Sequence, residues 1–194
     1  MQTTIDDWPS SSDDDIVPVA ESVDLSIECL VQSVLDWMAA QRYFTKNEVE
    51  SLKRVEIGLL RRNATQKHGV CRYHRDTDVN SPALGPRDVK CIDIHPGLLT
   101  EKWWNYGQKV LYHEFLHALG HFSHNSDFRR LEDAWDGPDK ECGRLFTEVM
   151  RRANASWLWI CDGCHKEFPR RKRGRGKFRC RDCNIVLRDV AVSN

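Results

Sequence analysis

Three residues of one short segment have the types and the spacing of a catalytic metal site. His113, Glu114 and His117 form the pattern His-Glu-x-x-His. On a helix, a spacing of four residues puts both histidines on one face, one turn apart, with the glutamate beside them. Zinc held there would lower the pKa of bound water from about 15.7 towards 7, and Glu114 would act as general base. The pattern predicts a zinc-dependent hydrolase, and the alternative is a helix with ordinary histidines.

A third ligand is needed, because a catalytic zinc usually takes three protein ligands and leaves the fourth position to water. His121 and His124 are the candidates. His121 comes eight residues after His113, which in an unbroken helix is about 12 Å along the axis and too far to share a metal. If the helix ends at Gly120, the chain can turn back and present His124. The metzincin spacing would instead require a ligand at Ser123, and it fits poorly.

Two Cys-x-x-Cys pairs form a second group. Fifteen residues separate the pair Cys161 and Cys164 from the pair Cys180 and Cys183. Four thiolates at this spacing can close a tetrahedral structural zinc site, and the order of pair, hairpin and pair is typical of a zinc ribbon. A thioredoxin-like redox motif would explain one pair and leave the other without a role. We therefore predict two zinc ions, one catalytic and one structural.

The segment between the cysteine pairs is strongly basic. Residues 165–181 contain nine Lys or Arg and one acid, with Phe168 and Phe178 flanking the run. Cations beside aromatic faces suit the phosphates and stacked bases of a nucleic acid. The residues predicted to bind nucleic acid are Arg170, Arg171, Lys172, Arg173, Arg175, Lys177 and Arg179. The alternative is a solubilising charged hairpin or a localisation signal.

Composition narrows the class of protein. The chain has 194 residues, of which 40% are hydrophobic and 30% charged, as in globular proteins. No run approaches the roughly 20 apolar residues that span a bilayer, and the N-terminus lacks the basic and apolar regions of a signal peptide. We expect a monomer that is cytoplasmic (nucleoid-associated) or nuclear, with no membrane association and no secretion.

The net charge of zero conceals an asymmetry. Residues 1–24 carry seven acids and no Lys or Arg, whereas residues 157–194 carry ten Lys or Arg against four acids. Residues 1–20 have little apolar periodicity, and we interpret them as a disordered acidic leader. The leader is a candidate inhibitor of nucleic-acid binding by the basic segment.

The elements that must position these groups follow from periodicity and caps. Apolar residues at three- and four-residue steps predict a helix from Glu21 to about Arg42, capped by Ser22 or Asp24. Thr100 is the predicted N-cap of the helix that carries the histidines. Asp127, Glu132 and Asp133 are interpreted as solvated helix charges, and the alternative is that they orient the ligand histidines. The remaining elements are predicted as strands at 55–60, 69–74 and 89–94, forming a small antiparallel sheet, and as helices from about 125–127 and from 138 to about 154.

The metal-site segment resembles the SprT-like metallopeptidases, whose members include the Spartan proteases acting on DNA–protein crosslinks. In that family a third zinc histidine lies in an H-G-x-x-F element that opens the next helix, and residues 124–128 (His-Asn-Ser-Asp-Phe) are similar, with Asn125 in place of glycine. Only six residues separate His117 from His124, fewer than is usual in the family. The resemblance implies that His124 is the third ligand. An Arg-rich ribbon after such a domain also resembles the shorter prokaryotic members.

The resemblance implies a fold and a function. The fold is an α+β minimal zincin at 21–156, with a small antiparallel sheet and an active-site helix, followed by a four-cysteine zinc ribbon with a basic hairpin at 157–194. The function is that of a zinc-dependent endopeptidase recruited to single-stranded or damaged DNA, where it cleaves DNA-bound or DNA-crosslinked proteins. One alternative is a nucleic-acid-binding or transcription-associated protein with a non-catalytic site. Another is a peptidase for a soluble protein, whose basic hairpin binds an acidic partner.

We predict that removing residues 1–20 tightens DNA binding at low salt, because an acidic segment competes with phosphates for the basic run. The measurement is the Kd for a labelled oligonucleotide with the full and the shortened chain, at low and high salt. The difference should shrink as salt rises, since salt screens both interactions. An unchanged Kd at low salt would contradict the inhibitory role.

Overall fold

The computed structural model describes residues 25–137 and 140–192, so the predicted acidic leader lies outside the described residues. The α-helices are α1 (Ile27–Ala40), α2 (Lys46–Leu52), α3 (Trp104–Ala118), α4 (Ser126–Glu132) and α5 (Lys140–Ala153). The strands are β1 (Ile57–Leu59), β2 (Gly69–Tyr73), β3 (Val89–Ile94), β4 (Trp157–Ile160), β5 (Glu167–Arg170) and β6 (Arg188–Ala191). Helices and two small sheets in one chain confirm the predicted α+β class at this level. None of the described helices is both long enough and apolar enough to cross a membrane.

Helix α1 begins later than predicted. Its N-cap is Ser26, whose hydroxyl accepts a hydrogen bond from the Cys29 backbone N–H at 3.2 Å. The predicted caps Ser22 and Asp24 lie outside the described residues. The apolar stripe of the helix, which the sequence pattern identified, is buried against α3 and forms one side of the core.

The first sheet has the order β1-β3-β2, and it corrects the prediction of an antiparallel sheet. Strand β2 pairs antiparallel with β3, but β1 pairs parallel with β3, with Ile57 opposite Ile92. Strand β3 comes third along the chain but lies between β1 and β2, and it runs against β2 and along β1. Residue alternation predicted where the strands lie but carries no information about which strand becomes the centre.

Helix α3 follows a short 3₁₀ turn, Glu101–Trp103, and not Thr100 directly. One face packs into the core through fully buried side chains such as Leu111 and Phe115. The helix ends before Gly120, which has a φ of 99°. A side chain there would be strained by that φ, and its Cβ would lie 2.4 Å from the Leu84 backbone oxygen.

Helices α4 and α5 follow as predicted in order. The side chain of Asn125 caps α4 by accepting a hydrogen bond from the Phe128 backbone N–H at 3.0 Å. Helix α4 is tied to α3 because the buried Tyr112 hydroxyl donates to the Leu131 carbonyl at 2.5 Å. Helix α5 carries the fully buried Phe146 into the same core, and its described C-terminal part contacts β5.

The second sheet has the order β5-β4-β6, and both of its pairs are antiparallel. It corrects the predicted basic hairpin between the cysteine pairs. Strand β5 pairs with β4 across the first cysteine pair, and Arg179 bridges to Val186 across the second. Each pair turns the chain by itself, because His165 and Asn184, which follow the second cysteine of each pair, have φ near 55° (57° and 54°). The strands consequently meet across the cysteine pairs and not across the basic run.

Candidate metal centre

Three imidazoles converge at the C-terminal end of α3. His113 and His117 project from successive turns of that helix, and His124 comes from the loop before α4. One potential ligand atom from each lies within 4.8 Å of the others, a group that could hold a metal ion. The Nε2 atoms of His117 and of His124 each lie 3.2 Å from Nε2 of His113.

The other ring nitrogen of each helical histidine is held by an acceptor. His113 Nδ1 is 2.7 Å from Glu132 Oε1, and His117 Nδ1 is 2.8 Å from the backbone carbonyl oxygen of His121. A carbonyl and a carboxylate accept hydrogen bonds, so Nδ1 carries the hydrogen in both rings. The Nε2 lone pairs of the neutral rings therefore point at one another, as a shared cation requires.

Burial favours the neutral form of these rings. Desolvation and, to a smaller extent, the neighbouring imidazoles lower the pKa of His117 to about 4, and the hydrogen bond to the His121 carbonyl opposes this shift. Desolvation also lowers the pKa of His113, although the Glu132 carboxylate opposes this shift. A neutral imidazole offers the lone pair that a metal ion needs.

His121 has a different role from the one that made it a candidate ligand. Its side chain is not part of the three-histidine group, whereas its backbone oxygen orients the ring of His117. The chain turns at Gly120 and brings His124 back to His113, which is the arrangement that the sequence analysis preferred. Among the described residues, the group that could hold a metal ion therefore consists of His113, His117 and His124.

Glu114 lies on α3 between the two ligand histidines and is only 7% exposed. Its Oε2 accepts a hydrogen bond of 2.7 Å from the backbone N–H of Cys71 in β2. Burial raises the pKa of Glu114 to about 7, and the hydrogen bond from Cys71 opposes that shift. The carboxyl group can thus hold or release a proton close to neutral pH.

The three histidines and Glu114 open into one cleft of about 1030 Å³. Tyr73 and Phe122 form one wall, with their rings 6.0 Å apart, and Phe122 is 43% exposed. Further into the cleft, His68 contacts the Tyr106 hydroxyl at 2.7 Å and the Thr147 hydroxyl at 3.0 Å. The cleft carries both apolar and polar side chains.

The four cysteines that the sequence singled out come together in the second sheet. A sulfur atom from each of Cys161, Cys164, Cys180 and Cys183 lies within 4.8 Å of the others. Backbone N–H groups of residues 164 and 163 lower the pKa of Cys161 to about 7, which favours its thiolate. The group could hold a metal ion and is separate from the histidine group.

All seven predicted nucleic-acid-binding residues are exposed. The Arg170 guanidinium lies over Trp159 at 5.0 Å, and Phe178 stacks on the same ring with 4.3 Å between centroids. Arg173 lies over Trp157 at 5.2 Å and pairs with Asp189 at 3.5 Å. The basic run thus forms a cationic surface on an aromatic base, and 47% of Phe178 remains exposed.

Sequence reasoning offered an orienting role for Glu132 only as the alternative, and it offered no role for Cys71. Glu132 is not a solvated helix charge, because its carboxylate accepts a hydrogen bond from Nδ1 of His113. The two are nineteen positions apart in the sequence, and only the packing of α4 on α3 brings them together. Cys71 contributes its backbone N–H as a hydrogen-bond donor to Glu114. Because every residue except proline has this group, the residue type at position 71 does not predict the contact.

We predict that Glu132→Gln weakens binding of Zn²⁺ to the histidine group about 10- to 100-fold, because the ring loses a charged partner. The measurement is competition with a chelator of known affinity, with the cysteine group of the same chain as internal reference. Asp133→Asn, an exposed neighbour with the same change of charge, is the control and should leave the affinity unchanged. Equal affinities for the two variants would contradict the orienting role.

Comparison of the chain with protein-family models, with curated proteins and with solved structures finds no match. The resemblance of the metal-site segment to the SprT-like metallopeptidases accordingly stays an interpretation of the sequence.

Proposed function

We propose that the chain is a zinc-dependent endopeptidase recruited to DNA, where it cleaves DNA-bound or DNA-crosslinked proteins. One observation carries the hydrolytic half of the proposal. Three imidazoles with converging Nε2 atoms share a cleft with a buried carboxylate from α3, the helix that carries two of the three. Three imidazole nitrogens beside a potential general base are the arrangement of hydrolytic zinc sites.

The spacing of the nitrogens fits zinc. Two nitrogens bound at 2.0–2.1 Å to a tetrahedral zinc ion are about 3.3 Å apart. The distance between Nε2 of His113 and Nε2 of His117 or His124 is 3.2 Å. His113, His117 and His124 would hold the ion, and a three-ligand set leaves one position for water or substrate.

The cysteine group fits a structural zinc by the same test. Two sulfurs bound at about 2.3 Å to a tetrahedral ion are about 3.8 Å apart. The sulfur atoms of Cys164 and Cys180 are 3.7 Å apart. Four thiolates would fill the coordination sphere of the ion, so this site would stabilise the second sheet and perform no chemistry.

Glu114 would move the proton during hydrolysis. When bound, zinc activates water and polarises the scissile carbonyl. Glu114 accepts a proton from the attacking water on Oε1 while Oε2 stays bonded to the Cys71 N–H. It then returns that proton to the amide nitrogen as the peptide C–N bond breaks, so one new carboxyl and one new amine are formed. The carboxylate ends the cycle in its starting state.

The proximity of the cationic surface to the cleft supports recruitment to DNA. Helix α5 reaches both: the Thr147 hydroxyl contacts His68 at the cleft, and Arg152 pairs with Glu167 of β5 at 2.9 Å. Five residues of helix, about 7.5 Å along its axis, separate these two contacts. A protein attached to DNA on the cationic surface would therefore lie close to the cleft.

We expect the zinc-loaded chain to cleave a DNA-binding protein faster with DNA than without, and Glu114→Gln to lower that rate by roughly 10²- to 10⁴-fold. Zinc content should stay unchanged, since the ligands remain. Glu148→Gln, an exposed glutamate of α5, is the matched control and should retain the wild-type rate. Full activity of Glu114→Gln would overturn the hydrolytic proposal. Retained DNA binding without any cleavage by the wild type would favour a nucleic-acid-binding protein.

We predict that the triple variant Arg171→Ala, Lys172→Ala and Lys177→Ala weakens DNA binding and lowers the slope of log Kd against log salt by roughly 2–3. These side chains are exposed and form no ion pair among the described residues, so their loss should not disturb the fold. The measurement is DNA affinity over a salt series. A triple variant at Lys46, Arg54 and Arg61 removes the same charge elsewhere and should bind as the wild type does. Equal slopes would contradict the assignment of this surface.

A further inference from the structure

Strand β2 contacts the Glu114 carboxyl group from the side opposite the helix. In the sheet, β2 is an edge strand that pairs only with β3 among the described strands. The N–H of Cys71 points away from β3, because it donates to Glu114 Oε2 at 2.7 Å. A backbone N–H of an edge strand, which no described neighbouring strand uses, thus donates a hydrogen bond to a side chain of α3.

Two residues earlier, Gly69 leaves room for the same carboxyl group. A Cβ built on Gly69 would lie 2.7 Å from Glu114 Oε1 and 2.8 Å from both Glu114 Cγ and Val110 Cγ1. These separations are far below ordinary carbon contacts of about 3.5–4.0 Å. Any side chain at this position would displace the glutamate.

The backbone does not require glycine at position 69. Among the described glycines, only Gly120 and Gly176 have a positive φ. Gly69 is an ordinary strand residue, and a glycine inside a strand weakens it through backbone entropy. What the position requires is space, and the Glu114 side chain occupies this space together with a methyl group of Val110.

The two contacts leave one oxygen for chemistry. Oε2 is held by the Cys71 N–H, and Oε1 accepts no hydrogen bond from the described residues. None of the side-chain nitrogens or oxygens in the described ranges is both fully buried and without a partner, so Oε1 remains accessible from the cleft that Glu114 lines.

We propose that β2 positions the catalytic glutamate: the backbone N–H of Cys71 fixes Oε2, and the missing side chain at Gly69 lets Oε1 lie at the cleft as the proton acceptor. The inference rests on the proposed function and assigns Gly69 and the Cys71 N–H as positioning groups for it. The residue types at positions 69 and 71 do not by themselves predict this role of strand β2.

The first test is independent of activity and uses the backbone amide signal of Cys71 in an NMR spectrum of the full chain. Glu114→Ala removes the acceptor and should shift this signal away from its wild-type position. Gly69→Ala should shift it in the same direction, because the displaced carboxylate no longer reaches the N–H. Gly58→Ala in β1 is the matched control: its Cβ would lie 2.6 Å from Asp93 Oδ1, a comparable crowding away from the cleft. It should leave the Cys71 signal in place.

The second test is a kinetic cycle with the zinc-loaded chain. Gly69→Ala should lower kcat roughly 100-fold with little change in KM and with unchanged zinc content, since misplacing a catalytic group by about 1 Å costs about that factor. In a Glu114→Gln background, Gly69→Ala should lower kcat no further, because the group it displaces no longer acts. A merely structural role would lower kcat in both backgrounds.

The outcomes separate this inference from the proposed function. A Cys71 signal that stays in place in Glu114→Ala, or an equal loss of kcat in both backgrounds, overturns the positioning role. If Gly69→Ala does not fold, the Glu114→Ala spectrum still decides whether the hydrogen bond exists. An inactive wild type with the predicted signal shifts would refute the peptidase and keep the contact. An active wild type without the shifts would do the reverse.

Discussion

Gly120 ends α3 in a backbone conformation that a residue with a side chain adopts only with strain, and the histidine group depends on this turn. Because the helix stops there, the carbonyl of His121 comes back to the His117 ring and His124 comes back to His113. A helix continued by two turns would carry both residues away from His113 and His117. The absence of a side chain at one position thereby makes a two-histidine pattern into a three-histidine group.

Glu114 shows how the same helix serves both core and cleft. The residues of α3 on either side of the histidine face are fully buried, so the helix cannot rotate or slide without exposing apolar surface. The glutamate is buried with them, and desolvation alone would disfavour its charged form. The N–H of Cys71 offsets part of this penalty. The first sheet therefore supplies a hydrogen-bond donor for a buried carboxylate whose own helix offers none among the described contacts.

The four cysteines that could hold a metal ion lie where the strands of the second sheet meet. The two cysteine pairs are the turns at which β4 meets β5 and at which Arg179 meets Val186. A bound ion would therefore hold the strands in register, and this small sheet has only four buried side chains in its own hydrophobic cluster. The basic run is left as an exposed surface whose arginines lie on tryptophan rings and not on acidic partners alone. Cations seated on aromatic faces keep their charge available to an anion while their stems are packed.

The sequence by itself determined the pattern His113, Glu114 and His117, the four cysteines, the basic run, the α+β class and most of the helix and strand positions. Each of these follows from residue types at a fixed spacing over a short stretch of chain. Within one helix or strand, the spacing along the sequence fixes the distance between residues. The tertiary structure decided what depends on contacts between elements. It placed β3 between β1 and β2, paired strands across the cysteine pairs, gave His113 the Glu132 carboxylate and gave Glu114 the Cys71 N–H. Partners nineteen or forty-three residues apart, one of them a backbone group, have no periodicity that a sequence could display.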